Sequence, residues 1–246
     1  MDGTTIIWIA GLMAVAAALY SSVGHGGASA YLAIMALFSV APETMRPTAL
    51  ALNLVVATFA AAHFALKGQT NWRLLLAFAI TAMPAAYIGG SIKLAPEFYR
   101  PLVGAVLLLA AVRLFWQPER LAARPVHVPP LLVTLPVGAV LGLLAGLSGT
   151  GGGIFLSPLI ILFGWGDARK TSGIAAAFIV LNSAAGLLGN LASVQRLPVE
   201  LPILVASVFG GALLGTWLGV SRLPRHRLLQ GLAIVLVIAA LKLFFT

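Results

Sequence analysis

Two glycine clusters are the places in this chain where backbone could do chemistry. Val23-Gly24-His25-Gly26-Gly27-Ala28-Ser29 interrupts one long apolar stretch, and Ser148-Gly149-Thr150-Gly151-Gly152-Gly153 interrupts another. A glycine inside a helix costs about 1 kcal/mol relative to alanine, so consecutive glycines break the helix. Each break opens a new helix N-terminus, at Ala28 and at Ile154. Unpaired N–H groups and the positive end of the helix dipole make such a terminus an anion site. The polar side chains nearby are few. His25 stands inside the first break, where a neutral imidazole donates to an anion oxygen and a charged one neutralises it; hydrogen bonding to freed backbone is its structural alternative. Asn53 and Asn182 lie in the apolar runs that follow the two breaks, where an amide either contacts a solute or joins neighbouring helices. The candidate solute-binding set is therefore Gly24, His25, Gly26, Gly27, Ser29, Asn53, Ser148, Gly149, Thr150, Gly151, Gly152, Gly153 and Asn182.

The carboxylates matter by where they are not. Asp2, Glu43, Glu97, Glu119, Asp167 and Glu200 all fall at the ends of apolar runs or between them. A proton relay of intramembrane acids has no candidate, and a cation path has nothing negative to line it. A site of amides, hydroxyls and helix N-termini suits an anion. With no cysteine, thiolate metal sites and redox dyads are excluded, and no cofactor is implied.

The elements that position these residues are membrane helices. Of 246 residues 61% are hydrophobic and 9% charged, against about a quarter charged in a soluble domain. Six acids and fifteen bases cannot cover a water-facing surface of this size, so lipid is the solvent. The net charge of +9 does not indicate nucleic acid, because the bases stand singly or in twos and threes between apolar runs. The start of the chain, with Asp2 and no base, reads as a retained first helix rather than a cleaved signal.

Ten apolar runs are expected, over 5–23, 28–40, 47–66, 73–92, 98–116, 130–148, 153–165, 171–191, 199–220 and 227–245. Those at 28–40 and 153–165 have 13 residues each, too short to cross about 30 Å as one helix, and suit half-helices or re-entrant segments. They occupy matching places in an internal repeat. Gly24–Gly27 lies over Gly149–Gly152 at an offset of 125, Glu43–Leu50 over Asp167–Ile174 at 124, and Ala110–Phe115 over Ala239–Phe244 at 129. The fold class is thus an all-α polytopic membrane protein of two repeats, each of about five membrane segments. The first occupies 1–116 and the second 130–246, with 117–129 as connector. An odd number of segments inverts the second repeat. Ten bases then face one side and five the other, which places both termini outside. If the short runs dip in and return, each repeat has four spans and the bias falls to near parity.

Short glycine-interrupted segments in matching places of two halves point to a transporter binding site. Spaced glycines are a different signal: Gly138, Gly142 and Gly146, like Gly211, Gly215 and Gly219, fit close helix packing. Trp8, Trp72, Trp116, Trp165 and Trp217 fall mostly near run ends, as interfacial anchors do.

Gly149-Thr-Gly-Gly-Gly153, then Ser157-Pro158, then Asp167-Ala-Arg-Lys-Thr-Ser-Gly173, resembles the sulfite exporter TauE/SafE family of anion permeases. The later spaced glycines followed by Arg222-Leu-Pro224 do so as well, and the first half carries weaker echoes, with His25 where the second half has Thr150. The resemblance covers essentially the whole chain. It implies export or import of sulfite, sulfonates or related sulfur-containing organic anions. The expected function is a secondary carrier or uniporter, not an enzyme, exposing a site between the two repeats alternately to either side. Its partners are a small anionic solute and the lipid bilayer, with a second copy of the chain as a further candidate and no nucleic acid. Two other readings compete. Gly146-Leu-Ser148-Gly149 has the form of a serine hydrolase motif, which suggests an intramembrane protease. A membrane assembly subunit without transport is the other, although such a subunit has little need of paired helix breaks.

Overall fold

The computed structural model describes residues 3–21, 26–115, 126–191, 197–217 and 225–245. They form ten α-helices and, among the described residues, no strand: α1 (Gly3–Ser21), α2 (Ala28–Leu37), α3 (Pro42–Leu66), α4 (Trp72–Ser91), α5 (Pro96–Phe115), α6 (Leu131–Ser148), α7 (Gly153–Leu162), α8 (Ala168–Gly189), α9 (Leu201–Trp217) and α10 (Arg225–Phe245). Among the described residues five helices, α1, α3, α4, α6 and α8, are long and apolar enough to cross a membrane. Large apolar side chains such as Trp8, Leu76, Ile80, Leu109 and Ile238 are exposed on the outside of the bundle, as a lipid solvent requires. The chain is an integral membrane protein.

Local signals set the helix starts. Asn71 caps α4 by accepting from Leu74 N at 3.2 Å, and Asp167 caps α8 by accepting from Lys170 N at 2.9 Å. Pro42 opens α3, where its fixed φ suits a first helical position. The helix therefore starts before the apolar run that begins at residue 47, and it carries Arg46 and Pro47 into the bundle. Trp165 also departs from expectation. It is buried, stacked on Phe163 at 5.0 Å between ring centres and packed near Phe78 at 5.9 Å, so it fills core rather than anchoring at an interface. Trp8 and Trp72 are exposed. Trp116 lies outside the described residues.

The two short helices match in detail. Each has ten residues and begins after a glycine in the left-handed region, Gly27 with φ 91° and Gly152 with φ 78°. Each ends in the same turn. Ser39 N and Gly164 N donate back to Ala36 O and Ile161 O, and Val40 N and Trp165 N to Met35 O and Ile160 O. The αL residue of that turn is Ser39 (φ 56°) in one and Gly164 (φ 67°) in the other. All of these pairs are 125 residues apart. Lys242 of α10 holds the end of α2, its Nζ donating to Leu37 O at 2.9 Å and Ser39 Oγ at 2.8 Å.

Spaced glycines join the long helices. Gly138, Gly142 and Gly146 of α6 lie against the backbone of Phe78, Ala82 and Ala86 of α4, so these two helices run in the same direction. Gly211 and Gly215 of α9 lie in the same way against Ala14 and Ala18 of α1. Gly219 falls outside the described residues. Without a hydrophobic drive between helices in lipid, this backbone proximity is what holds the pairs. α3 packs along α8 and α5 along α10, placing α3 and α8 at the centre beside both short helices.

Two neighbouring glycines of α9 separate packing from propensity. A Cβ on Gly211 meets Ala14 backbone, whereas one on Gly210 has nothing within 4 Å. Gly211→Ala is expected to destabilise the folded protein by about 1–3 kcal/mol, and Gly210→Ala to leave it unchanged or slightly more stable. Thermal unfolding in detergent measures both; equal effects would remove the packing role from Gly211.

Candidate functional site

Both breaks come to the middle of the bundle and meet there. At the second, Gly149, Gly151 and Gly152 have φ of 86°, 72° and 78°, a run of left-handed residues that side chains rarely tolerate. The chain thereby leaves α6 sharply and turns into α7, whose ladder starts with Phe155 N and Leu156 N donating to Gly152 O at 3.1 and 3.2 Å. The N–H groups of Gly153 and Ile154 precede that ladder and have no partner within the helix. At the first break Gly27 does the same for α2, with Tyr31 N donating to Gly27 O at 3.0 Å.

Asn53 of α3 ties the two together. Its Oδ1 accepts from Ala28 N, the first donor of α2, at 3.2 Å. Its Nδ2 donates to Thr150 O, inside the second break, at 3.2 Å. The side chain is fully buried. One amide thus satisfies a donor freed by one break and an acceptor freed by the other, using its acceptor oxygen for the first and its donor nitrogen for the second. The glycines make room for it: a Cβ on Gly26 would collide with Asn53 Oδ1, and one on Gly151 would stand 2.8 Å from Asn53 Nδ2 and 2.8 Å from Ser183 Oγ.

The α8 wall of this junction carries unspent polar groups. Ser183 Oγ and both amide atoms of Asn182 are fully buried without a hydrogen-bond partner. Tyr31 OH is buried and unpartnered too, and a Cβ on Gly27 would stand 2.8 Å from it. An orphaned buried polar group costs about 1–3 kcal/mol, so these groups detract from stability as they stand. Around them are N–H donors, hydroxyls and amides, with no described carboxylate: an environment for an oxyanion. Ser29 is spoken for, its hydroxyl 2.8 Å from Tyr20 OH.

Ser148 and Thr150 form the α6 side. Ser148 Oγ donates to Leu144 O at 2.6 Å, which uses its one proton, so the 2.8 Å contact to Thr150 has Thr150 Oγ1 as donor. The Ser148 hydroxyl's proton is given to helix backbone, as in a helix-end tie, and no described histidine or carboxylate bonds to it. Ser148 O accepts from Tyr99 OH at 3.2 Å. No group of three or more His, Asp or Glu able to hold a metal ion occurs among the described residues.

Of the expected site residues, Gly26, Gly27, Asn53, Thr150, Gly151, Gly152 and Gly153 converge at the junction; Asn182 is buried on α8, next in sequence to Ser183. Ser29, Ser148 and Gly149 flank it. Gly24 and His25 lie outside the described residues. Arg46 is not among the expected site residues. It is 6% exposed, its Nη1 donates to Ile92 O at 3.0 Å, and its Nη2 donates to Gly90 O. Its stem borders Gly149. Pro42 was the available signal, because a helix begun there carries Arg46 into the bundle.

The family model for the sulfite exporter TauE/SafE matches residues 9–243. "Probable membrane transporter protein y4hK" of Sinorhizobium fredii (strain NBRC 101917 / NGR234) is 38% identical over 245 residues, 98% of this chain and 99% of that protein. "Probable membrane transporter protein YjnA" of Bacillus subtilis (strain 168) is 28% identical over 247 residues, 92% of this chain and 94% of that protein. No solved structure matches significantly.

Removing the amide tests the tie between the breaks. Asn53→Ala strands Ala28 N–H and Thr150 C=O and is expected to cost about 2–6 kcal/mol by thermal unfolding in detergent, at about 1–3 kcal/mol per group. A loss below about 0.5 kcal/mol would mean that the breaks hold without it.

Proposed function

The chain belongs to the sulfite exporter TauE/SafE family, and from that premise we propose that it is a secondary carrier or uniporter for a small anion, with sulfite, sulfonates and related sulfur-containing organic anions as the substrate class. It is a membrane transporter by family, and both relatives carry that name. The observation that carries the finer reading is the junction of Asn53 with both breaks, beside the unpartnered Ser183 and Asn182. An oxyanion placed there meets the first N–H groups of α7, the Ser183 hydroxyl and an amide N–H. It leaves no acidic neighbour to repel it.

In this reading the carrier has two units of five segments, 1–116 and 130–246, joined by 117–129, with the second inverted relative to the first. Three features support it. α2 and α7 share length, caps and terminal turn at one offset. The first helix of each half lies along the fourth of the other, α1 with α9 and α6 with α4. Since α6 runs with α4, and α4 is three reversals after α1, α6 enters opposite to α1. The distribution of bases supports a reading with both termini outside a bacterial inner membrane. Rocking of one unit against the other would expose the junction to each side in turn, the short helices moving with their own units.

Anion flux into proteoliposomes tests this, comparing sulfite, sulfate, thiosulfate and small sulfonates. Saturable flux of at least one is expected in the wild type. Gly152→Leu should lose it, since a side chain at φ 78° meets Phe178 and Ala145 and displaces the start of α7. Ser148→Ala should keep it within about tenfold, the loss of one net hydrogen bond being about 1 kcal/mol. No flux of any of these anions, under a pH gradient or an imposed potential, would reject the reading.

A further inference from the structure

Arg46 is the one charged side chain buried among the described residues, and no described carboxylate pairs with it. Its guanidinium is held by backbone alone. Nη1 donates to Ile92 O at 3.0 Å and lies 3.5 Å from Leu147 O, and Nη2 donates to Gly90 O. Gly90 and Ile92 close α4, and Leu147 precedes the last residue of α6. These carbonyls are the negative ends of two helices. The aliphatic stem meanwhile packs on the second break, its Cγ 3.1 Å from where a Gly149 Cβ would stand.

The arrangement sets the field at that break. A helix end carries about half an elementary charge, negative at the C-terminus and positive at the N-terminus. Without Arg46 the ends of α4 and α6 would put about one negative charge against the positive starts of α7 and α2, which Asn53 joins at the junction. With it they are cancelled, and a surplus of about one positive charge remains. A buried charge stays uncompensated unless an opposite one joins it. The surplus matches one negative charge and falls short of two. The residue at the matching place in the second half does not repeat this device. Lys170, 124 positions on, is exposed, 57% by side chain, and lies 3.9 Å from Asp167.

We propose that Arg46 is the fixed positive charge of the anion site, held by the C-terminal carbonyls of α4 and α6, and that it restricts the carrier to singly charged oxyanions, such as alkyl sulfonates, over doubly charged ones such as sulfate. This rests on the anion-carrier reading and names its substrate by charge. Arg46 acts through the field at the break, so it is a positioning and specificity residue.

The experiment measures methanesulfonate uptake into proteoliposomes at pH 7.5, with inorganic sulfate as competitor and, separately, as substrate. Wild-type protein should favour methanesulfonate over sulfate at least tenfold in apparent affinity. Arg46→Gln should weaken methanesulfonate at least tenfold in KM, with a smaller change in maximal rate, and Lys170→Gln should change neither. Arg46→Lys keeps the charge but cannot fork to the same carbonyls, and should keep the preference for the single charge at a reduced rate. A merely structural role would lower the rate of every anion alike. Because the wild-type preference needs no variant, a failure of Arg46→Gln to fold does not remove the test. Wild type that takes sulfate as readily as methanesulfonate, or a folded Arg46→Gln within twofold of wild type in KM and preference, overturns the assignment to Arg46 while the carrier stands. Wild type that moves no anion overturns the carrier reading and this inference with it.

Discussion

Backbone freed from a helix at membrane depth has no water to turn to, and every other feature at the centre of this protein follows from how that demand is met. Two breaks are built at matching places, and one amide side chain, Asn53, reaches from α3 to a donor of the first and an acceptor of the second. Left-handed glycines bring the backbone within reach of it, and their missing Cβ atoms leave space for it. The accounting is incomplete on one side. Ser183, Asn182 and Tyr31 keep polar atoms buried without partners, and the first N–H groups of α7 precede its ladder. In the proposed carrier these unsatisfied groups are what a solute would meet.

The close glycine contacts set how that core can move. α6 on α4, and α9 on α1, meet backbone to backbone over successive turns. Such contacts hold by dispersion and shape, with few interdigitated side chains to lock them. In the proposed carrier each of these pairs joins a helix of one unit to a helix of the other, so they lie where a rocking motion would need a surface. The α2 end is fixed from outside its own half by Lys242 of α10. That cation at a helix C-terminus also opposes the negative end of the dipole, leaving the positive start at the break less compensated.

Arg46 extends the same logic. A guanidinium with five donors is the side chain best able to collect several helix-end carbonyls at once, and it does so without an acid. Its charge is offset locally by dipoles, so the burial is tolerable, and in the proposed carrier the second break is spared the negative end of α6.

The sequence by itself determined the solvent, the helices and the breaks. Composition left lipid as the only exterior, apolar length gave helices that agree with the structure to within a few residues at most ends, and consecutive glycines gave two half-length segments. These are local or additive properties, written in runs of neighbouring residues. Asn53 and Asn182 were visible as polar residues in apolar runs, but whether each joins helices or faces a solute was not, because the answer depends on partners such as Thr150, 97 residues away. Trp165 looked like an interfacial anchor and packs in the core; Arg46 precedes the apolar run that begins at residue 47 and is buried among carbonyls 44 to 101 residues distant. Which face of a helix turns inward, and which helix end lies beside it, is settled by the packing of the whole bundle. Only the tertiary structure could make one asparagine the tie between two breaks and one arginine the cap on two helices.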